Sequence, residues 1–491
     1  MKILLVGSGP ASFAVALRLL DSDNSFEIDL VDGNSIEAFN PDDDSPNCMY
    51  SKDALGSNRL KKLSSQYLDS DFNNDENKQL PLPSKIFGGY SNVWGGAVDI
   101  IDKKYHHLWM EEIDNLLKSF DEIGSKINLH SSSSDNPAKH LIISELPISN
   151  REIKILKSLG RLGDSFEIEN STVAFNYKIT SEICDVCHEF KWSCDKDIAW
   201  SPKSFFKENI ENGCINYLKN ASVFKLSNNA KNEIEVFFDT DFENSKPQIY
   251  DKVFLAAGAI GTSKIILRSV DNIDMLEILT TDLVTIPYIT NKMTSEKKHT
   301  FVDIYIKYFR KSLFTFGQLY GFSNNLLSLS KEAVPVAQKF GSFFKFIIKR
   351  TGGIFIYLDQ KISSSLYITT KGTEISIEPG RKNNTIKSIF IILQIGFQLF
   401  FKGLLLVPFI GSWRKHGNSN HYGSQLAMNL DIDKRLKNET DSLGSISTLK
   451  NLHIVDSSVL PIVPSGPITF ITMANSYRIT NEVLLELKGL K

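Results

Sequence analysis

Residues 3–6 (Ile-Leu-Leu-Val) form a short unbroken apolar run closed by Gly7, the pattern of a strand buried on both faces of a parallel sheet. From about Ala11 to Leu20 the spacing changes. Phe13, Val15, Ala16, Leu17, Leu19 and Leu20 leave mainly Arg18 for solvent, which predicts a helix with a thin polar edge. Glu27–Val31 reads as a second strand ending at Asp32, so the chain opens as β-α-β within about thirty residues.

Farther along, Ala221–Leu226, Glu233–Phe238 and Lys252–Ala256 carry strand patterns, and the last runs into Ala257-Gly258 and a helix near Thr262–Leu267. Residues 40–80, rich in Asp, Asn and Ser, predict a solvated excursion, while 108–170 alternates helical segments with polar loops such as SSSSDN at 131–136. No internal repeat is visible, and 276–415 reads as less regular. Its most hydrophobic segment, Ser388–Phe401, is broken by Gly396 and followed by Lys402. Crossing a bilayer takes ~20 apolar residues, so this segment reads as a buried or interface helix. An amphipathic membrane-surface element is the alternative, ahead of a true span.

At 491 residues the chain exceeds one ordinary core and predicts two or three domains with room for a buried cofactor. Apolar residues at 42% exclude a disordered chain, and 55 basic against 57 acidic side chains exclude a chain-wide polyanion-binding charge, so no nucleic-acid partner is expected. Five cysteines are a sparse, odd set that points to a reducing compartment. MKILLVG leads straight into Gly7 and Gly9 with no cleavage region, so the expectation is a cytoplasmic protein. The apolar elements at 340–357 and 388–410 leave room for peripheral membrane contact.

Candidate chemistry begins at Gly7-Ser8-Gly9-Pro10-Ala11-Ser12, which fits G-x-G-x-x-(small) between strand and helix. The first glycine permits the tight turn, the second lets backbone approach a pyrophosphate, and the helix start attracts its charge. Ser12 stands where glycine or alanine is usual. Asp32, at the end of the second strand, is placed to accept hydrogen bonds from a ribose diol. NAD and FAD share this turn, so it does not choose between them.

Three further segments are the glycine-dense GGYSNVWGG at 88–96, LAAGAIGTSKIIL from Leu255, and NLHIVDSSVLP…PITFITMAN from Asn451, preceded by His421-Tyr-Gly-Ser. With the N-terminal turn, and in this order, they resemble the glucose-methanol-choline (GMC) family of FAD-dependent alcohol oxidoreductases over residues 1–35, 85–100, 200–268 and 418–485. The resemblance implies an α/β fold: a Rossmann-like FAD-binding domain built from discontinuous segments (1–100, 200–275 and 416–491) and an α+β substrate domain with antiparallel sheet (101–199 and 276–415). It implies that Gly89, Ser91, Asn92, Val93, Trp94, Gly95 and Gly96 run along the flavin ring and pyrophosphate. Val223 would meet the adenine through its backbone, and Ala257-Gly258 would lie beside the ADP part. Asp456 would contact the ribityl or pyrophosphate region, with Ile468 and Thr469 beneath the pyrimidine end of the ring. Some relatives attach flavin through a histidine where this chain has Val93, so the FAD should be non-covalent.

By the same resemblance His421 is the catalytic base, and an imidazole near neutral pKa suits removal of an alcohol proton. His416 is a weaker candidate. The chain departs from the family at Gly466, where relatives carry a second histidine or an asparagine. The implied activity is oxidation of a CH–OH group in an alcohol, sugar or glycoconjugate by hydride transfer to flavin N5, with the electron acceptor unassigned. Two alternatives stay open: a flavin-binding protein with altered or redox-neutral chemistry, and an NAD-dependent Rossmann enzyme. Cys184, Cys187, His188 and Cys194 match a c-type haem attachment signature or a three-sulfur, one-nitrogen zinc set in outline. Adjacent Cys187 and His188 would have difficulty reaching one ion, so ordinary packing is the reading and no metal is expected.

Overall fold

The computed structural model describes residues 1–22, 25–33, 85–92, 94–131, 142–145, 150–160, 162–176, 199–239, 246–292, 301–321, 349–371, 374–413, 417 and 419–489. The expected 40–80 excursion, Val93, His416, the Cys184–Cys194 cluster, the polar loop beyond Ser131 and the start of the apolar element at 340–357 lie outside the described residues.

Lys2–Val6 lies in the middle of a five-stranded parallel sheet, between Lys252–Leu255 and Glu27–Val31, with Leu452–Ile454 and Asn216–Tyr217 at the edges. Ile3, Leu4, Leu5 and Val6 are all buried, as their unbroken apolar run requires. The helix Pro10–Leu20 follows, with Arg18 as its more exposed position, and packs against the long C-terminal helix Thr469–Leu487. A three-stranded antiparallel sheet of Val223–Asn228, Ile234–Phe238 and Gln248–Tyr250 occupies the crossover before Lys252. The helix after that strand runs Gly258–Ser269, longer at both ends than its sequence pattern marks.

The residue pattern marks 276–415 as less regular than it is, and the antiparallel sheet that the family resemblance implies is present there. Leu283–Thr290, Ile304–Arg310, Leu313–Tyr320 and Thr351–Tyr357 are central strands of a seven-stranded antiparallel sheet. Met275–Thr280 and Ser365–Lys371 belong to a four-stranded one. The large sheet is covered on both faces. One carries the helices Asn150–Leu159 and Thr385–Phe400, whose Ile155, Leu159, Ile391, Ile392, Ile395 and Leu399 pack on Ile286, Ile306 and Ile354. Phe316 and Tyr357 turn the other way into the main core. Strands buried on both faces lose the apolar-polar alternation that would mark them.

Ser388–Phe401 is a helix, bounded at Thr385–Phe400, but only one of its faces is buried. Among the described residues no helix is long and apolar enough to cross a membrane.

Candidate active site

The first glycine turn owes its shape to contact with the neighbouring strand. Gly7 has φ +101°, and a Cβ there would stand 2.3 Å from the Ala256 carbonyl oxygen, so only glycine lets the turn lie against the end of Lys252–Leu255. Gly9 caps the helix with no side-chain bond and Pro10 opens it, leaving the N–H groups of the first turn, including Ala11 and Ser12, without a side-chain cap. Ser12 is fully buried and its Oγ has no partner among the described residues. That hydroxyl beside a helix N-terminus is the first sign that the site expects a ligand.

Asp32 is held by two hydroxyls, Ser8 Oγ donating to Oδ2 at 2.6 Å and Tyr217 OH donating to Oδ1 at 2.6 Å. Tyr217 comes from the edge strand Asn216–Tyr217 and has no signature in the sequence. Ser8 Oγ also accepts from the Gly88 N–H at 2.8 Å, which seats the second glycine loop on the first. There a Cβ on Gly89 would stand 3.4 Å from Gly9 Cα. Ser91 donates to the Gly88 carbonyl, and Asn92 donates to Phe87 and Gly89 while its Oδ1 is buried without a partner. Trp94 is anchored by Nε1 donating to the Trp200 carbonyl at 2.7 Å. Gly95 leads into Gly96, whose carbonyl accepts from the Ala174 N–H as the chain joins a second small sheet.

Val223 begins its strand next to Ser222, whose hydroxyl lies against Gly33, one residue past Asp32. Ala257 caps the Gly258–Ser269 helix, and a Cβ on Gly258 would meet nothing within 4 Å. Residues assigned to the nucleotide end from four separate stretches are therefore gathered around the Gly7 turn. Open space at Gly9 and Gly258, with a Ser12 hydroxyl that can donate to a phosphate and an Asn92 Oδ1 that can accept from a hydroxyl or ring N–H, fits a dinucleotide.

Asp456 has its oxygens engaged by the protein: Thr262 Oγ1 donates to Oδ2 at 2.5 Å and the Ser458 N–H to Oδ1 at 2.9 Å. Burial pushes its carboxyl up from the ordinary range, against the pull of these bonds. Here it braces the turn between the Gly258 helix and the C-terminal segment. Ile468 caps and Thr469 opens the helix Thr469–Leu487, just beyond Gly466 and Pro467, which line a cleft with Asp99, Phe314 and Ile471.

His421 is buried and stacks on Tyr357, with ring centroids 4.5 Å apart and planes at 14°. Its Nδ1 is 3.1 Å from Thr281 Oγ1. Tyr422 and Gly423 pair with Thr280 and Leu279, which sets His421 beside Thr281. A Cβ on Gly423 would stand 2.3 Å from the Ser457 carbonyl, so the glycine lets this stretch run against the 456–459 turn. Gln425 Nε2 then donates to the Ala259 carbonyl, Ser263 Oγ and Ser458 Oγ, binding the histidine's stretch to the helix of the nucleotide end.

Tyr357 also opens a row of directly paired residues across the large sheet: Tyr357 with Phe316, and Phe316 with Lys307. Paired residues share a face, so all three lie on the sheet face turned away from the two helices, spanning two strand spacings or about 10 Å. Gly466 sits over the middle, where a Cβ would lie 3.4 Å from the Phe316 ring and 3.7 Å from Asp99 Oδ2. At the far end, Lys307 Nζ is 3.0 Å from Asp99 Oδ2 and 2.9 Å from Glu169 Oε2. Burial raises the Asp99 carboxyl from 3.8 to about 6, with Lys307 opposing and Glu169 adding to the rise. Burial pulls the Lys307 ammonium down, but the two carboxylates more than offset it and its pKa ends above the ordinary value.

Sequence reading missed Tyr217, Thr281, Tyr357, Asp99 and Lys307. Two of these carried a usable signal. Asp99 follows the Gly95-Gly96 pair by three residues, and Lys307 is a lone charge in the apolar run IYIKYFR.

No protein-family model matches the chain, and no curated protein matches it in sequence. In structure it is similar to pyridoxine 4-oxidase from Mesorbium loti, a GMC-family oxidoreductase, with a TM-score of 0.61 over 98% of each chain at 12% identity. The chain therefore has the mixed α/β fold of that oxidase, with its several antiparallel sheets.

Proposed function

We propose that the chain is a GMC-type oxidoreductase that holds FAD without a covalent bond and oxidises a CH–OH group, with His421 as the base. What carries the reading is the position of His421: buried, ring-stacked and tied through Gln425 to the helix that begins at Ala257-Gly258. The Gly7–Ser12 turn, Asp32, Gly89–Gly96, Val223 and Gly258 would hold the cofactor. FAD, when bound, supplies the hydride acceptor at flavin N5.

The remaining work falls to protein groups. In the tautomer that carries its proton on Nδ1, 3.1 Å from Thr281 Oγ1 as acceptor, Nε2 holds the lone pair that would accept the alcohol proton. Tyr357 fixes the ring plane by stacking, and its own hydroxyl accepts from Asn420 Nδ2 at 3.0 Å. Gly466 offers no side chain to hold the substrate oxygen. Asp99 lines a cleft with Gly466 and would supply a polar group there, held by Lys307.

The test is direct. Purified protein should be yellow, absorbing near ~450 nm from flavin, and should release its cofactor on acid precipitation. Anaerobic mixing with a panel of alcohols and sugars should bleach it, and His421→Ala should abolish bleaching while staying yellow. The panel should include pyridoxine, the substrate in the neighbour's name. Gly466 favours a second reading, a flavoprotein that does not oxidise alcohols, and a yellow protein bleached by none of the panel would select it. A colourless protein binding NAD would sink both.

A further inference from the structure

The helix Thr385–Phe400 has two apolar faces, and the large sheet takes only one. On the side turned from the sheet, Ile389, Phe390, Leu393, Phe397, Phe400 and Phe401 are 44 to 65% exposed, and Ile386 at the first turn is 83% exposed. They recur at helical spacing, so they form one stripe along a helix about 24 Å long. A surface helix of a globular protein carries polar residues in that position. Just past the helix the strand Leu404–Leu406 packs beneath Gly396, and the turn after it projects Phe409, which is 99% exposed.

The stretch that carries this face is basic. From Pro379 to Leu430 the sequence holds no aspartate or glutamate, and its described cations are Arg381, Lys382, Lys387 and Lys402, although the whole chain is at −2; the one acid on the packed helix Asn150–Leu159 is Glu152. Neighbouring elements add to it. The Arg310 guanidinium lies 4.3 Å over the Phe390 ring. Ser158 donates to the Lys402 carbonyl, which brings the helix bearing Lys154 and Lys157 alongside. Lys292 Nζ in turn reaches the Lys154 carbonyl.

We propose that this face docks on an anionic lipid bilayer, the helix lying in the interface plane with its aromatic stripe among the acyl chains and the surrounding cations on lipid phosphates. An apolar face with a basic surround is the physical requirement for such binding. A two-fold contact between copies would press the same lysines and arginines together, which argues against a second chain as the occupant. The sheet stands between this face and the cleft beside Phe316, so docking localises the chain without feeding lipid into the cleft. The proposal is independent of the flavin reading.

Flotation of the full chain with vesicles tests it. The protein should float with phosphatidylcholine–phosphatidylglycerol vesicles, weakly with phosphatidylcholine alone, and less at about 1 M than at about 0.1 M salt. The double variant Leu393→Ser, Phe397→Ser removes only exposed side chains and should keep the wild-type melting temperature while its partition falls at least about tenfold. Lys387→Glu with Lys402→Glu should erase the preference for anionic vesicles. A wild-type protein that floats with neither vesicle overturns the proposal, as does a dimer in sedimentation that the serine variant dissociates, or vesicle binding that the serine variant leaves unchanged.

Discussion

Replacing Lys307 by methionine removes the charge and keeps the length, which isolates the electrostatics of the cleft wall. The substitution strands Asp99 and Glu169, whose oxygens lie 3.0 and 2.9 Å from the lysine nitrogen. Each carboxyl can avoid burial as an anion by taking a proton, and that sets a ceiling on the loss. At pH 7, keeping neutral a carboxyl whose ordinary pKa is near 4 costs about 4 kcal/mol relative to the unfolded chain. Asp99, raised from 3.8 to about 6, already carries about 3 kcal/mol of this with the lysine present. The variant adds about 1 kcal/mol at Asp99 and leaves the Glu169 carboxylate without its buried cation, so at pH 7 it should lose about 3–5 kcal/mol, the usual cost of removing one partner of a buried ion pair. At pH 5 Asp99 is already protonated in the native protein, so its added cost disappears and the loss is smaller. The sign follows from the direction of the shift. A carboxyl with a raised folded pKa makes the native state less stable as pH rises from about 4 to about 6, and the variant extends that fall to pH 7. Urea unfolding of both proteins at the two pH values reads the gap. A deficit of the same size at pH 5 and pH 7 would mean lost packing rather than stranded charge and would refute the reasoning.

Three other substitutions probe separate parts of the fold. Gly7→Ala forces a Cβ to 2.3 Å from the Ala256 carbonyl at φ +101°, and should cost at least ~2 kcal/mol in chemical unfolding; a neutral result would show that the turn can move. Gly466→Ala should stay within ~1 kcal/mol of wild type in a thermal melt, because its φ is not left-handed and the new Cβ meets only ordinary contacts at 3.4 Å or more. His453, lowered to about 3 by burial and by Lys252, binds no proton in the native state while the unfolded chain titrates near 6.5, so it removes about 3 kcal/mol of stability as pH falls to about 4.5. His453→Gln should therefore flatten the acid limb of the stability profile, and an unchanged limb would show that this histidine is not the group responsible.

The nucleotide turn was legible because its information is local. Strand, Gly7, Gly9, helix and Asp32 lie within one βαβ unit, and each residue type is demanded by backbone geometry or charge at that place. His421 was legible only through its resemblance to a family motif. What fixes its ring, Thr281 just past the strand Met275–Thr280 and Tyr357 at the end of Thr351–Tyr357, lies more than sixty residues away in the chain, and no periodicity announces such a contact. Tyr217 is hidden in the same way, since a tyrosine on a two-residue edge strand looks like any core aromatic until Asp32 is beside it.

The large sheet was misread for a reason that also explains what it does. Ile304–Arg310 alternates Ile304 and Ile306, which face the helices Asn150–Leu159 and Thr385–Phe400, with Tyr305 and Lys307, which face the other way toward Val98 and Asp99. All four are buried, so neither face shows a polar stripe and the strand lacks the alternation that marks a half-exposed one. The two faces nevertheless carry different chemistry. The row Lys307, Phe316, Tyr357 sets Asp99 and His421 at opposite ends of one wall, and pairing register fixes that separation more firmly than a loop could. On the other face Ile306 and Ile354 need only an apolar cover, which the inner stripe of Thr385–Phe400 provides. The outer stripe of that helix is not explained by the sheet at all, since a helix covering one sheet face needs apolar residues on one side only. Its excess hydrophobicity, which made Ser388–Phe401 read as a buried segment, is the part of the pattern that folding within the described residues does not use.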